Sequence, residues 1–323
     1  MTSREVIKQI LFLVLGSGLR TRLRINKIRN KKLITILNLH RVHENDFSAY
    51  KPLNPKVFIQ LIEFIKSNYL VTSFSELSNL ETSASTKPLL ILSFDDGYKD
   101  FINVTCPILD KYQIRANQNI IPECVMSGIP PLNVALQDFI GKATPAELKY
   151  LSIPNFSYEG DLSDLSKLGF QVSKFIKNKP MREQTSYRDI LFKQIENLEA
   201  FNLTKMMDLD DLKQIANNHD IGAHSFSHAN LGIESDDYVV KDFAKCKAWF
   251  KEHLNQDVDI YAFPNGSYKE HHIQLAFDNR YKHLLLVNDQ FAKNNGSVYE
   301  RFGFDASSLS EARFKTTGRF IRL

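Results

Sequence analysis

Two neighbouring carboxylates are the first residues in this chain whose type and position suggest chemistry. Asp95 and Asp96 directly follow the apolar run 89–94, and Gly97 comes next. A short apolar run that ends in a turn signal is typical of a strand buried in a parallel sheet. Two carboxylates at such a place are costly unless a cation holds them, and a metal would leave one of them free as a base. An ordinary surface turn is the alternative.

A pair of histidines favours a metal site over an ordinary surface turn. His224 and His228 lie four residues apart in the segment His-Ser-Phe-Ser-His. On a helical turn this spacing puts both rings on one side, as in known zinc-binding pairs. Two histidines and one aspartate form a three-ligand set that leaves a coordination position open for water, which is the pattern of a catalytic metal site.

Three segments carry a resemblance to a known family. Ser-Phe-Asp-Asp-Gly at 93–97, His-Ser-Phe-Ser-His at 224–228 and Phe-Pro-Asn-Gly at 263–266 resemble signature motifs of the polysaccharide deacetylases. These are metal-dependent N-deacetylases with a NodB-homology domain, carbohydrate esterase family 4. The motifs occur in the family's order, and the similarity runs from about 34 to about 318. The resemblance implies hydrolysis of the N-acetyl group of an amino sugar in a cell-surface or cell-wall glycan or its precursor.

The resemblance also implies roles for individual residues. One divalent metal, zinc by expectation and cobalt or nickel as alternatives, would be held by Asp96, His224 and His228. Asp95 would be the base that takes a proton from water. The Pro264-Asn265 pair would contribute to an oxyanion hole through the backbone N–H of Asn265.

Two departures from the family pattern matter. Many members have an arginine two residues before the motif proline, where this chain has Ala262. Arg301, in a segment that resembles a late arginine-containing strand of the family, is the candidate substitute. The late motif with the general-acid histidine is missing as well. In a permuted branch of the family an early strand supplies this histidine, which makes His40 the candidate acid and His43 its competitor.

Strands that alternate with helices must position these residues. Such alternation predicts parallel βαβ units and, with the resemblance, an α/β fold built as a distorted (β/α)7-type barrel in one catalytic domain, 33–323. The polar candidates lie at or just beyond the carboxyl ends of predicted strands, which is the active-site face of such barrels. The predicted strands are 33–39, 70–72, 89–94, 117–121, 220–223, 259–263, 283–287 and 298–304, and the predicted helices are 55–68, 101–112, 208–218, 236–254, 269–279 and 308–314.

Residues 127–205 interrupt this alternation and form a predicted helical insertion. Its clearest helical pattern runs from 187 to 201. Long insertions often shape a binding cleft. A helical cap without a part in the chemistry is the alternative.

Residues 1–32 form a basic amphipathic N-terminal segment. An apolar run at 10–15, too short to span a bilayer, precedes seven basic residues within 20–32. Such a cluster opposes translocation, so we expect a helix on an anionic membrane surface rather than a cleaved signal peptide. This predicts a cytoplasmic protein, peripheral at the inner face of the membrane. A basic helix packed on the domain is the alternative.

Composition narrows the range of partners. Of 323 residues, 43% are hydrophobic, which is enough for a large core, and the net charge of +4 is too small to indicate nucleic acid. Three cysteines without CxxC spacing indicate reduced thiols. We therefore expect an N-acetylated glycan or lipid-linked sugar as substrate. The alternatives are a catalytically inactive carbohydrate-binding relative and a metal-stabilised scaffold, and a formyl group is the alternative to the acetyl group.

Overall fold

The computed structural model describes residues 3–44, 46–77, 86–158, 160–293, 296–321 and 323. Side chains are described from Ile7 onward. The sequence also predicts a loop over 81–86, a stretch rich in serine and threonine, and all of it except residue 86 lies outside the described residues.

A nearly closed barrel of parallel strands forms the centre of the molecule, which confirms the predicted α/β barrel. Along the hydrogen-bonded path the order is β10-β1-β3-β4-β5-β6-β7-β9, while β2 pairs with β3 and the antiparallel β8 pairs with β1. The described strands are β1 Leu33–Leu39, β2 Leu70–Thr72, β3 Leu89–Phe94, β4 Asn117–Ile120, β5 Asp220–Ala223, β6 Ile260–Ala262, β7 His283–Leu285, β8 Ala292–Lys293, β9 Val298–Tyr299 and β10 Phe302–Gly303.

The barrel closes through one short segment of chain. The sequence predicts a single strand over 298–304, but the structure has two short strands with Glu300 and Arg301 between them. β9 pairs with β7 on one side of the gap, and β10 pairs with β1 on the other. The segment therefore joins β7 to β1, and the fully buried Arg301 lies at the break between its two short strands.

Helices surround the strands. The described helices are α1 Ser3–Leu15, α2 Gly18–Asn30, α3 Pro55–Asn68, α4 Phe74–Leu77, α5 Cys106–Lys111, α6 Pro122–Ser127, α7 Leu132–Lys142, α8 Pro145–Leu148, α9 Leu165–Lys177, α10 Met181–Ile195, α11 Leu209–Ile215, α12 Asp236–Leu254, α13 His272–Asp278 and α14 Leu309–Thr316. Their packing buries the outward-facing apolar residues of the strands in the main core.

Strand alternation divides the barrel interior into two layers. Side chains two residues apart share a face of a strand, so 34, 36 and 38 of β1 face the same way, as do 89, 91 and 93 of β3. The first two positions of each set belong to an interior apolar cluster with Ile260 and Leu285. The third positions, Asn38 and Ser93, are polar and buried. The carboxyl end of the barrel is therefore polar inside, next to the predicted site.

The insertion is helical and has its own apolar core. α7, α9 and α10 pack around Leu136, Val172 and Leu191, all fully or almost fully buried. The helix predicted over 187–201 instead begins at Met181 and ends at Ile195. Pro180 precedes it, and a proline at this position favours a helix start, so the predicted boundaries were about six residues too late.

The N-terminal segment is two helices rather than one. α1 and α2 meet at Gly16 and Ser17. Gly16 lies against the Ser310 backbone of α14, where an added Cβ would be 2.1 Å from the Ser310 carbonyl oxygen. Arg24 of α2 donates to the Thr317 carbonyl at 2.6 Å. Both helices therefore pack on the C-terminal part of the domain. None of the described helices has the length and apolar character that crossing a membrane requires.

Candidate active site

Both carboxylates at the end of β3 line one cavity of about 800 Å³. Asp95 and Asp96 are 2% and 4% exposed. In a continuing strand they would point to opposite faces. The strand instead ends at Phe94, and Asp96 adopts a left-handed backbone with φ 77°. Gly97 follows with φ 84°, a conformation that glycine adopts without strain. This turn directs both carboxylates to the same space.

Two residues from other parts of the barrel fix Asp95 by hydrogen bonds, Asn119 in β4 and Arg301 between β9 and β10. Its Oδ1 accepts from Arg301 at 2.8 Å and from Asn119 Nδ2 at 2.7 Å, and its Oδ2 accepts from Arg301 at 3.0 Å. Burial alone would raise the pKa of Asp95, but the charges of Arg301 and His224 outweigh it and hold the pKa well below its ordinary value. Asp95 is therefore an ionised carboxylate with a fixed orientation.

Arg301 reaches Asp95 from the gap in the barrel closure. It is fully buried, and its guanidinium also donates to Ser93 Oγ at 2.9 Å, Asn38 Oδ1 at 3.1 Å and the Leu286 carbonyl at 3.1 Å. Ala262, where many family members have an arginine, offers no donor. The arginine that contacts Asp95 thus comes from the break between β9 and β10, and its part in catalysis stays a prediction.

Asp96, His224 and His228 form a group that suits a divalent ion. One ligand atom from each lies within 4.8 Å of the others. Asp96 Oδ1 is 3.3 Å from His224 Nε2 and 3.5 Å from His228 Nε2, and it has no hydrogen bond among the described residues. A buried carboxylate oxygen between two imidazole nitrogens fits a bound cation, because leaving it unsatisfied would be costly.

The protonation of this group fits the same interpretation. His224 Nδ1 donates to the Ala262 carbonyl at 2.9 Å, which leaves the Nε2 lone pair free for a metal. Burial lowers the pKa of His228 to about 3, so its ring is neutral, as a ligand must be. Asp96 Oδ2 accepts from the Tyr98 hydroxyl at 2.7 Å. Asp96 and His224 thus each have one atom held by the protein and one left for the ion. Burial alone would lower the pKa of His224, but the charges of Asp95 and Asp96 outweigh it and raise that pKa.

The histidine pair does not lie on a helix, contrary to the prediction from its spacing. His224 and His228 belong to a loop after β5, in which Ser225 and His228 have φ of 56° and 60°. A left-handed residue after His224 cannot continue a helix. The loop brings the rings together all the same, with their centroids 5.1 Å apart.

Asp242 of α12 holds this histidine loop. Its buried carboxylate accepts from Ser225 Oγ at 2.9 Å, from the Phe226 backbone N–H at 2.9 Å and from the Tyr261 hydroxyl at 2.8 Å. Burial raises the pKa of Asp242 above its ordinary value, while these donors oppose the shift. The loop conformation is therefore tied to a buried polar group rather than to regular secondary structure.

The structure separates the two candidates for the acid. His40 lies just beyond β1, lines the cavity and packs edge-on against Tyr50 with ring centroids 6.0 Å apart. Burial lowers the pKa of His40, and the nearby Asp96 and Asp95 partly oppose this. His43 is exposed, is not among the lining residues, and donates through Nδ1 to the Glu44 carbonyl at 2.8 Å.

The motif after β6 forms one wall of the cavity. Asn265 and Gly266 line it with φ of 59° and 63°, while Pro264 is buried behind them. An added Cβ at Gly266 would lie 3.2 Å from the Val287 carbonyl oxygen. Because of this close approach and the left-handed turn, the backbone at Asn265 forms part of the cavity wall.

Three residues around the site were missed in the sequence. Asn119 lies in the polar run Asn-Gln-Asn of a core strand, and such a run in a buried strand was an available signal. Asp242 shares the buried face of α12 with Val239, Phe243 and Cys246, where a charged residue is unusual. Lys177 had no local signal, because its position depends on how the insertion folds over the barrel.

Comparisons with known proteins bear on the family and the fold. A family model described as polysaccharide deacetylase matches residues 187–284. A search of curated proteins gives no match. A Streptococcus pyogenes deacetylase, PplD, solved in complex with acetate, is similar with a TM-score of 0.57 and 19% identity over 88% of this chain and 98% of its own.

Two further solved structures share the fold. IcaB from Ammonifex degensii has a TM-score of 0.56 at 12% identity and covers 88% of this chain and 97% of its own. A de-N-acetylase from Aggregatibacter actinomycetemcomitans has a TM-score of 0.54 at 15% identity and covers 85% and 96%. The family model thus matches about a third of the chain and includes two of its three motifs, and the solved structures share its barrel fold.

Proposed function

We propose that the protein is a metal-dependent hydrolase that removes the N-acetyl group from an amino sugar of a glycan or its precursor. The family model supports deacetylation of a glycan in general terms. One observation carries the proposal beyond that. The group of Asp96, His224 and His228 lies in the same cavity as Asp95, a second carboxylate held ionised by Arg301.

The residues divide the chemistry among them. Asp96, His224 and His228 would hold the ion, which when bound supplies Lewis-acid activation of water and of the amide carbonyl. Asp95 is an ionised acceptor for a proton of the attacking water. His40, which lines the same cavity just beyond β1, is the proposed donor of a proton to the departing amine. The backbone N–H of Asn265 is proposed to donate to the amide oxygen as negative charge develops there.

Release of acetate tests the proposal. Protein dialysed against a chelator is assayed with an N-acetylglucosamine oligomer, before and after zinc, cobalt or nickel is added. We expect acetate only with metal. Sugar binding without acetate would instead favour an inactive carbohydrate-binding protein. Retained metal without sugar binding or acetate would favour a metal-stabilised scaffold. If formate is released from an N-formyl analogue faster than acetate is released from the N-acetyl substrate, the proposed acyl group changes from acetyl to formyl.

We also propose that the N-terminal helices rest on an anionic membrane surface, which would suit a lipid-linked substrate. Two of the seven basic residues, Arg20 and Arg24, are occupied by carbonyls of the C-terminal part. The other five, Arg22, Lys27, Arg29, Lys31 and Lys32, are exposed. Beside them is a row of exposed apolar side chains, Ile7, Ile10, Leu11, Leu13, Val14, Leu19 and Leu23. Apolar and basic side chains on the same helices are typical of interfacial helices.

Vesicle co-sedimentation tests the membrane proposal. A Leu13→Ser/Leu19→Ser variant should bind phosphatidylserine vesicles several-fold more weakly than the wild type. Leu162→Ser is the matched control, since Leu162 is 60% exposed and Leu13 63%, but Leu162 lies in the insertion. Equal binding by all three proteins would contradict the proposal. A cytoplasmic location stays a prediction that depends on this surface.

A further inference from the structure

The insertion contributes one wall of the active-site cavity through α9. Four residues at helical spacing, Phe170, Ser173, Lys174 and Lys177, line the cavity. The opposite face of α9, with Leu168, Val172 and Ile176, is buried in the core of the insertion. The orientation of the cavity-lining face is therefore set by packing and does not depend on a ligand.

Lys177 is the unusual member of this wall. Its ammonium has no hydrogen bond and no ion pair with any described residue, although other basic groups at the site, such as Arg301, have carboxylate partners. Burial lowers the pKa of Lys177, and the charge of Asp96 partly opposes this. The ammonium is close enough to His40 and His228 to disfavour their protonation. It is thus a cation next to the reacting groups without a counter-charge of its own.

A second unpartnered group adjoins it. Asn230 follows the histidine loop, is 6% exposed, lines the same cavity and donates through Nδ2 to the Lys177 carbonyl at 2.8 Å. Its Oδ1 has no hydrogen bond among the described residues. Buried polar atoms in proteins are normally paired, so the unpaired Asn230 Oδ1, together with the half-buried Lys177 ammonium on the same cavity wall, points to a ligand with complementary groups.

The chemistry of these groups defines that ligand. We propose that Lys177 binds an anionic group, a carboxylate or a phosphate, that the substrate carries next to its N-acetylated sugar, while Asn230 accepts a hydrogen bond from a sugar hydroxyl. This inference rests on the proposed function and specifies its substrate class. Charge-assisted hydrogen bonds are stronger than neutral ones and lose most when one partner is removed.

Matched substrates test the inference. The neutral substrates are an N-acetylglucosamine oligomer and methyl N-acetylglucosaminide. Their anionic counterparts are an oligomer of the same length that contains N-acetylmuramic acid, and N-acetylglucosamine 1-phosphate. We expect the wild type to have the lower KM for the anionic member of at least one pair, and which pair responds distinguishes carboxylate from phosphate.

Variants then assign the preference to one residue. Lys177→Met should raise KM for the preferred anionic substrate by about tenfold or more, with less than a twofold change for the neutral one. Lys177→Arg should restore part of the preference. Lys174→Met is the control, since Lys174 lines the same wall but is exposed. Equal losses on both substrates, or a wild type without preference for an anion, would overturn the inference.

Direct binding separates this inference from the proposed function. If no substrate releases acetate, calorimetry with N-acetylglucosamine 1-phosphate and methyl N-acetylglucosaminide decides it for the full chain. Tighter binding of the phosphate that disappears in Lys177→Met supports the anion site even though the hydrolase proposal has failed. If the wild type does not bind the phosphate more tightly, or if Lys177→Met keeps the tighter binding, the anion site is rejected, provided that circular dichroism shows both proteins to be folded.

Discussion

The guanidinium of Arg301 contacts both carboxylate oxygens of Asp95, at 2.8 and 3.0 Å, across a sequence separation of 206 residues. A planar guanidinium fixes a carboxylate in two directions, which a lysine ammonium cannot do. The proposed base is therefore oriented by the segment that closes the barrel.

Arg301→Lys should keep a positive charge next to Asp95 but lose this fixed orientation. We expect kcat to fall about 100-fold, since small misplacements of a reacting group have effects of this size. Steady-state kinetics on metal-loaded protein measures it. Arg319→Lys is the control, because Arg319 pairs with Asp289 in a half-exposed ion pair away from the cavity. An unchanged kcat in Arg301→Lys would remove Arg301 from the mechanism.

Removing the histidine pair should remove the metal. We expect the His224→Ala/His228→Ala double variant to lose both bound metal and activity, as measured by elemental analysis and acetate release. A second His/Asp group, formed by Asp236, His271 and His272, provides the control. His271→Ala/His272→Ala should keep full metal content, because His271 and His272 already hydrogen-bond to Asp236. The opposite pattern would assign the metal to the second group.

Asp95→Asn should keep the metal and the fold but lose most of the hydrolysis, because an amide cannot take a proton from water. The expected loss in kcat is about 10²–10⁴-fold, which is the usual contribution of a general base. Metal content and the unfolding midpoint serve as checks on the preparation. Turnover close to that of the wild type would mean that Asp95 has only a structural role.

His40→Ala should lower kcat about 100-fold with little change in metal content, since a general acid contributes on this scale. An acid acts while protonated, so kcat of the wild type should fall as pH rises through the pKa of His40. Burial lowers that pKa below its ordinary value, which moves this limb toward lower pH. The limb should flatten in His40→Ala and persist in His43→Ala, and the reverse result would make His43 the acid.

Asp242→Ala should destabilise the protein and loosen the histidine loop together. It leaves three donors without their buried acceptor, which we expect to cost about 2–4 kcal/mol in the free energy of unfolding. Zinc affinity should fall about 10–100-fold, as it does when groups that support metal ligands are removed. Urea unfolding and zinc titration measure the two effects. Asp237→Ala, on the exposed side of the same helix, should change neither.

Local patterns in the sequence predict many of the strands and helices of this molecule. What they miss depends on contacts between residues that are far apart in the sequence. The strand 33–39 and the helices 55–68 and 236–254 are observed with the predicted bounds because their periodicity and capping agree. The spacing of His224 and His228 indicates a metal pair but predicts the wrong backbone, since the loop depends on Asp242 from another element. Likewise, the sequence around Asp95 does not indicate that Asn119 contacts it.

The late position of Arg301 has a consequence during protein synthesis. At about 5–20 residues per second, a ribosome needs roughly 10–40 s to proceed from Asp95 to Arg301. Late in that interval, once residue 228 has been added, the nascent chain contains the histidine pair, but its Asp95 still lacks the Arg301 guanidinium. Under the proposed function, competence for hydrolysis would therefore arise only with the final strands.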